Sequence, residues 1–107
     1  LNSIIKLKIL IIKKIIKKNT SSLITIKKPN DILLDKKKVC GILQEVIFKN
    51  NKKYLIVGVG INLINSPKVN KYETTYLNNY SKKKINKLKL FNEIKSKYEK
   101  NINYYKI

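Results

Sequence analysis

The chain contains only three glycines, and all of them lie in two apolar runs rich in β-branched residues: Gly41, Gly58 and Gly60. Two adjacent asparagines at positions 50 and 51 lie between these runs, and Asn is favoured in the tight turns of β-hairpins. We therefore predict two strands, residues 39–48 and 54–62, joined as a hairpin and preceded by a polar turn at residues 35–38. Glycine weakens a strand interior, so these glycines indicate a bulge, close packing of neighbouring strands or a ligand that approaches the backbone.

A strand-to-turn corner is predicted upstream of the hairpin. Residues 23–26 and 32–34 are short apolar segments of the kind that form strands. Pro29 disfavours helix in the residue before it, and Asn30-Asp31 are residues typical of turns. We therefore expect Lys27 at the point where the first strand ends and the turn begins.

Two segments show apolar residues at helical spacing. The first, residues 3–18, carries a stripe of isoleucines that further isoleucines widen: Ile5, Ile9, Ile12 and Ile16, with Ile4, Ile11 and Ile15. The second follows Ser81, a predicted N-cap, and carries Ile85, Leu88, Phe91, Ile94, Tyr98, Ile102 and Tyr105. Both patterns predict amphipathic helices. We expect the first helix to pack on the strands, and the alternative is a basic helix on a membrane surface.

These elements predict one α/β (α+β) unit over residues 1–107. It has a mixed or antiparallel sheet with a central hairpin, flanked by an N-terminal and a C-terminal amphipathic helix. No internal repeat and no long flexible linker divides the chain. A chain of 107 residues has room for one modest core and no more than one domain.

The charge of the chain is strongly positive. It has 25 Lys+Arg against 6 Asp+Glu, a formal net charge of +19, and every basic residue is lysine. A basic excess is typical of proteins that bind nucleic acid or anionic membranes. Arg, however, supplies the bidentate contacts that read bases, so we expect no nucleic-acid partner for this segment. A non-enzymatic basic nucleic-acid-binding module is the alternative function, and its binding would weaken steeply with salt.

Several classes of site do not fit the residues present. The chain has no His and a single cysteine, Cys40, which argues against zinc sites and Cys-His nucleophiles and allows no internal disulfide. Cysteine use of this kind fits a reducing compartment, so we expect a cytoplasmic protein. No stretch reaches the roughly 18 uncharged apolar residues of a membrane span. The Gly58-Val59-Gly60 sequence lacks the third glycine and the following helix of a dinucleotide fingerprint.

What remains is a lysine at a strand end, an Asn-Asp turn and a glycine-bearing hairpin that ends in Asn62. Such a set can hold and polarise an anionic substrate, because lysine stabilises charge that develops on phosphate or acyl oxygen.

Three ordered motifs carry a resemblance to a known family. They read Lys-X-Pro-Asn-Asp-Ile at 27–32, Gly-Ile-Leu-X-Glu at 41–45 and Gly-X-Gly-Ile-Asn at 58–62. In this order and spacing they resemble the second half of the catalytic domain of biotin protein ligases, whose first motif usually reads Lys-Trp-Pro-Asn-Asp. Three motifs within about forty residues are far more specific than any one of them.

The resemblance implies a two-step reaction that uses ATP, Mg²⁺ and biotin. Biotin carboxylate attacks the α-phosphate of ATP to give biotinyl-5'-adenylate and pyrophosphate. A lysine amine on the biotin carboxyl carrier domain of a carboxylase then attacks the acyl carbon. The implied partner is therefore a carrier domain, and a homodimer is left open.

The resemblance also implies roles for particular residues. Lys27 would be the catalytic residue and bind the biotin carboxyl and α-phosphate region. Gly41 and Ile42 would present backbone and an apolar wall to biotin. The ATP-binding residues would be Asn62, Gly60, Asn30 and Asp31, with Asn62 at the phosphates or their Mg²⁺ and the Asn-Asp pair keeping Lys27 aimed.

The sequence departs from the family pattern in two respects. Lys28 stands where the family has Trp, and the family's Gly-Arg-rich loop and upstream strands have no counterpart in this chain, which begins with Leu1. We therefore expect residues 1–107 to be a partial catalytic domain, the second half, that is not active alone.

Overall fold

The computed structural model describes residues 2–102 and, within them, the side chains of residues 8–100. In that part of the chain two α-helices and four strands follow in the order α1 Asn2–Asn19, β1 Ile24–Lys27, β2 Asp31–Leu34, β3 Lys37–Lys49, β4 Lys52–Ile61 and α2 Lys87–Ile102, with a short 3₁₀ helix at Leu77–Asn79. Each strand pairs antiparallel with the next, so the sheet order is β1-β2-β3-β4. The predicted α+β class, with a central hairpin and two flanking helices, is confirmed.

Two-residue turns connect β2 to β3 and β3 to β4. Asn50 and Asn51 both have positive φ, 51° and 63°, and close the β3–β4 hairpin as predicted. Asp35 and Lys36 do the same between β2 and β3, with φ of 47° and 66°. The predicted polar turn of residues 35–38 was therefore too long, because two residues with positive φ suffice and Lys37 already belongs to β3.

The core lies between α1 and one face of the sheet. One cluster of buried apolar side chains joins the two layers: Ile9, Ile11, Ile12, Ile15 and Ile16 from α1 with Ile32, Leu34, Val39, Cys40 and Ile42 from the sheet. The prediction that the first helix packs on the strands is confirmed, and the side chains of Ile4 and Ile5 lie outside the described ones. No helix within residues 2–102 is both long and apolar enough to cross a membrane.

The start of α2 differs from the prediction. Ser81 is not the N-cap; the helix begins after Asn86, whose Oδ1 accepts a hydrogen bond from the Lys89 amide at 3.0 Å. The physical reason is Asn78, whose Oδ1 accepts the Ile85 amide at 2.8 Å. Asn78 Nδ2 also donates to the Ile85 carbonyl at 3.4 Å, so the carbonyl that would accept an intrahelical bond already has a partner and Ile85 stays outside the helix.

The apolar face of α2 also differs from the predicted stripe. Leu90 is buried, and Ile94 and Tyr98 pack against the core, which gives a ridge with four-residue spacing. Leu88 and Phe91 are exposed at 66% and 59%. The predicted stripe counted both residues, but the four-residue spacing back from Ile94 leads to Leu90 and not to Phe91, so both lie off the ridge that meets the core. The side chain of Ile102 and the whole of Tyr105 lie outside the described part.

Candidate functional site

The residues of the three motifs meet in one row across the sheet. Lys27 lies directly opposite Asp31 in the β1–β2 pair, Asp31 opposite Gly41 in the β2–β3 pair, and Gly41 opposite Gly60 in the β3–β4 pair. Opposed residues of antiparallel strands belong to the same face of a sheet. The next row, Ile26, Ile32, Cys40 and Ile61, belongs to the other face, which packs against α1. We call the face with Lys27 the cleft face.

A cleft of about 610 Å³ lies on this face. Its floor includes all three glycines, and one wall comes from the loop after β4 through Pro67, Tyr72 and Thr74. The loop is tied to β3 by main-chain hydrogen bonds from the Lys38 amide to the Glu73 carbonyl and from the Thr75 amide to the Lys38 carbonyl, at 2.9 and 2.8 Å. The wall is therefore fixed to the sheet that forms the floor.

The glycines of the floor are not required by their own backbone or packing. None has a positive φ. A Cβ at Gly58 or Gly60 would lie 3.8 Å or more from the nearest heavy atom, an ordinary van der Waals distance. At Gly41 it would meet Lys38 Cε at 3.4 Å and Asp31 Oδ1 at 3.5 Å. Glycine here leaves the backbone of the floor open, as expected where a ligand approaches closely.

An ion pair crosses the floor beside Gly41. Lys38 Nζ lies 3.3 Å from Asp31 Oδ1, and 5.2 Å from the centre of the Tyr72 ring. Partial burial lowers the pKa of Lys38, but the hydrogen bond and charge of Asp31 outweigh it, with a smaller contribution from Tyr72, and the pKa is raised above its usual 10.5. Lys38 is therefore a fully charged ammonium at neutral pH.

A β-bulge places Lys38 on the cleft face. The β2–β3 register shifts between Ile32, which pairs with Cys40, and Leu33, which pairs with Lys38, so that Val39 is the extra residue. Val39 and Cys40 are both buried although they are neighbours. In a regular strand of the same sequence, strict alternation from Gly41 would place Val39 on the cleft face and direct Lys38 toward the helices.

The residues predicted to form the site are placed in different ways. Asp31, Gly41, Gly60 and Asn62 line the cleft, whereas Lys27 and Asn30 do not. Lys27 is exposed at the end of β1, in the same row, and its side chain makes no hydrogen bond or ion pair with any described residue.

Three predicted residues have structural contacts of their own. The Ile42 side chain belongs to the core cluster, so only its backbone is left for the cleft, and its amide donates to the Asn30 carbonyl at 2.9 Å. The apolar wall predicted from Ile42 is therefore not on this face. Asn62 Nδ2 donates to the Thr75 carbonyl at 3.1 Å, which holds the end of β4 to the cleft wall.

The cysteine beside the cleft is a buried apolar residue. Cys40 is 1% exposed, and burial raises the pKa of its thiol to about 12, with the charge of Asp31 adding to this effect. A thiol that stays protonated at neutral pH is a poor nucleophile.

The carboxylates give no ready metal site. Within the described residues no group of three or more His, Cys, Asp or Glu side chains could hold a metal ion. Asp31, the carboxylate that lines the cleft, is already paired with Lys38. The described residues therefore form no cluster of carboxylates that would hold the implied Mg²⁺ by itself.

Sequence reasoning missed Lys38, Tyr72 and Thr74. The sequence predicts Lys38 as part of a turn, and residues 68–80 show no periodicity that would place them. One signal was present: two adjacent apolar residues, Val39 and Cys40, break the alternation expected of a strand with one solvated face, which is consistent with a bulge.

Comparison with known proteins agrees with this geometry. The sequence model of the Biotin/lipoate A/B protein ligase family matches residues 2–62, which include α1, all four strands and all three motifs. A search of curated proteins found no match.

Solved structures similar to this chain include biotin protein ligases from Aquifex aeolicus. The apo ligase is 26% identical with a TM-score of 0.70, over 96% of this chain and 46% of the ligase. Complexes with biotin alone, in a point mutant, and with biotin and ATP have the same identity and TM-score, over 95% of this chain and 44% of theirs. The chain thus spans about half the length of these ligases. Since the family model covers more than half of the chain, this protein belongs to the Biotin/lipoate A/B protein ligase family.

Proposed function

We propose that residues 1–107 form the second half of a biotin ligase catalytic domain and bind ATP and biotin on the cleft face. The reaction served is ATP-dependent formation of biotinyl-5'-adenylate, followed by transfer of biotin to a lysine of a biotin carboxyl carrier protein. Because the chain spans less than half of the ligases that it resembles, we propose that it binds these substrates but does not complete the reaction alone.

The observation that carries this proposal is the row Lys27–Asp31–Gly41–Gly60. Residues from three separate motifs come together on one face, at strand spacings of about 4.8 Å. The row combines a free ammonium at one end with exposed glycine backbone at the other. A cation beside open backbone is suited to a ligand with both a phosphate and a carboxylate.

Lys27 is proposed as the catalytic cation. Its ammonium would offset negative charge on the biotin carboxylate and the α-phosphate, and on the oxygens that gain charge as the carboxylate attacks phosphorus and pyrophosphate leaves. A unit charge about 4 Å away at an effective dielectric near 20 contributes roughly 4 kcal/mol before desolvation. In the second step it would stabilise AMP as the leaving group when the carrier lysine attacks the acyl carbon.

The other residues are proposed to bind and position the ligand. Gly41 and Gly60 would let biotin and ATP approach the main chain, and the Ile42 backbone would border the biotin site. Asn62 would hold the cleft wall through Thr75, and this wall would form one border of the ATP site. Asn30 and Asp31 would fix the corner that bears Lys27. Mg²⁺ would be held mainly by the ATP phosphates, because it commonly binds through substrate phosphates with only one or two carboxylates.

Calorimetric titration of the chain with ATP tests the proposal. We expect Lys27→Ala to weaken ATP binding about tenfold, the loss of roughly 1.4 kcal/mol, with an unchanged circular dichroism spectrum. Lys52→Ala is the matched control, since Lys52 is also an exposed lysine at a strand end but pairs with Lys49 beside the hairpin turn, away from the row. Equal effects of the two variants would contradict the proposal. They would favour the nucleic-acid alternative, in which Lys27 is one of 25 lysines acting by charge alone.

A further inference from the structure

Asp31 is the carboxylate closest in register to Lys27. The two residues are directly opposed on β1 and β2 and belong to the same face, where the Cβ atoms of such pairs lie about 5 Å apart. An unpaired carboxylate at this position would attract the Lys27 ammonium and repel an anionic ligand. Any use of Lys27 as an anion-binding cation therefore requires that Asp31 be neutralised by another group.

Lys38 is placed to be that group. Lys38 lies on β3 and Lys27 on β1, so the two lysines flank Asp31 of β2 from opposite sides. Lys38 Nζ lies 3.3 Å from Asp31 Oδ1. The Val39 bulge brings Lys38 to this face, and the main-chain bonds to Glu73 and Thr75 hold its backbone in place. Tyr72 accepts the same ammonium over its ring.

Gly41 lies directly beneath the pair. A Cβ at this position would lie 3.5 Å from both Lys38 Nζ and Asp31 Oδ1, so the ion pair passes directly over the glycine. The pair is partly exposed, at 27% for Lys38 and 33% for Asp31. Ion pairs of this exposure add little to stability, so folding alone gives no strong reason for a bulge, a glycine and an aromatic ring to converge on it.

We propose that Lys38 is a positioning residue which neutralises Asp31 and thereby leaves the Lys27 ammonium free for the anionic part of the substrate. The anion-binding role of Lys27 rests on the function proposed above. The pairing of Lys38 with Asp31 does not rest on that function, because Asp31 can pair with either Lys27 or Lys38 whether or not a ligand is present. The inference adds to the site a residue, Lys38, whose contribution acts through Asp31 and then through Lys27.

Competitive acetylation of the whole chain with acetic anhydride, read by mass spectrometry, measures how free the Lys27 amine is. In Lys38→Met we expect Lys27 to react about two- to fivefold more slowly, the range for an exposed ion pair formed with Asp31. In the double variant Lys38→Met with Asp31→Asn the rate should return to that of the unaltered chain, and Lys38→Arg should leave it unchanged. Lys52 serves as the internal reference in each sample.

Two labelling results would overturn the inference. One is an unchanged Lys27 rate in Lys38→Met. The other is a rate that falls equally in the single and double variants, since the effect would then not pass through Asp31. Circular dichroism of each variant identifies any loss of fold, and Lys38→Gln, which also removes the charge and should slow Lys27 in the same way, keeps the test available if Lys38→Met unfolds.

Titration with ATP then separates this inference from the proposed function. We expect the ATP affinity to fall in Lys38→Met and to recover in the double variant. If labelling recovers but affinity does not, Lys38 contacts the ligand itself and its positioning role is refuted. If labelling behaves as expected while the unaltered chain binds no ATP, the pairing stands and the proposed function of the chain fails.

Discussion

We predict that Gly60→Ala stabilises the chain while it weakens ATP binding. Gly60 lies within β4 with a negative φ, and an added Cβ would find its nearest neighbour, the Gly41 carbonyl oxygen, at 3.8 Å. The methyl group therefore fits without strain. Because alanine has fewer unfolded conformations than glycine, the free energy of unfolding should rise by about 0.4–1 kcal/mol.

The effect on binding has the opposite sign. The methyl group would stand on the open floor of the cleft, where the proposed ligand meets the backbone, and overpacking by one carbon costs about 1–3 kcal/mol. ATP affinity should fall by about tenfold or more. The gain in stability should raise the urea midpoint by about 0.3–0.7 M with an unchanged slope.

Urea unfolding followed by circular dichroism, with calorimetric titration on the same preparations, measures both quantities. A loss of more than about 1 kcal/mol of stability, together with an unchanged ATP affinity, would refute the reasoning. That result would mean that Gly60 serves the packing of the sheet and not a ligand.

Three further predictions concern the frame around the cleft. Lys8 is 1% exposed, donates to Gln44 Oε1 at 3.1 Å, and has a pKa lowered by burial. The folded chain therefore binds the Lys8 proton less tightly than the unfolded chain, so the free energy of unfolding should rise as pH rises toward 10.5. In urea titrations the double variant Lys8→Met with Gln44→Leu should lose this rise and be more stable by about 1–3 kcal/mol at neutral pH. Cys40 should react with Ellman's reagent at pH near 8 only as fast as the chain unfolds, whereas rapid labelling without denaturant would show an open core. Asn78→Ala should lower the free energy of unfolding by about 1–3 kcal/mol in thermal unfolding, because the Ile85 amide loses its partner. Asn79→Ala, a change at the exposed neighbour, should alter it by no more than about 0.5 kcal/mol, and equal losses would contradict this role of Asn78.

The parts of the fold governed by local sequence could be predicted. Asn50 and Asn51 adopt the positive φ values that close the long hairpin, and the Pro-Asn-Asp turn leaves Lys27 at the end of β1. The isoleucine stripe of α1 packs against the sheet as its spacing indicated. In each case neighbouring residues, through backbone preference or apolar period, determine the outcome.

The predictions that were wrong or incomplete depend on contacts that the local sequence does not reveal. Ser81 has the chemistry of an N-cap, but the helix start is moved to Asn86 because Asn78 binds Ile85 seven residues away. The adjacent apolar residues Val39 and Cys40 are consistent with a bulge, but nothing near Lys38 in sequence indicates that the bulge turns Lys38 toward Asp31 or that Tyr72 lies beside its ammonium. Lys27, Asp31 and the glycines are candidates that the motifs alone supply, and their roles stay a prediction, while the residue that pairs with Asp31 is found only from the register of the sheet.

Backbone NMR of the isotopically labelled chain titrated with ATP is the most direct test of the claim that the cleft face is the binding site. We expect the largest amide shifts along one row, at Lys27, Asp31, Gly41 and Gly60, with little change at the hairpin turn near Asn50. Shifts spread over the exposed lysines, including those at residues 82–84, with the row unaffected, would contradict the account and show that ATP meets only the general positive charge of the surface.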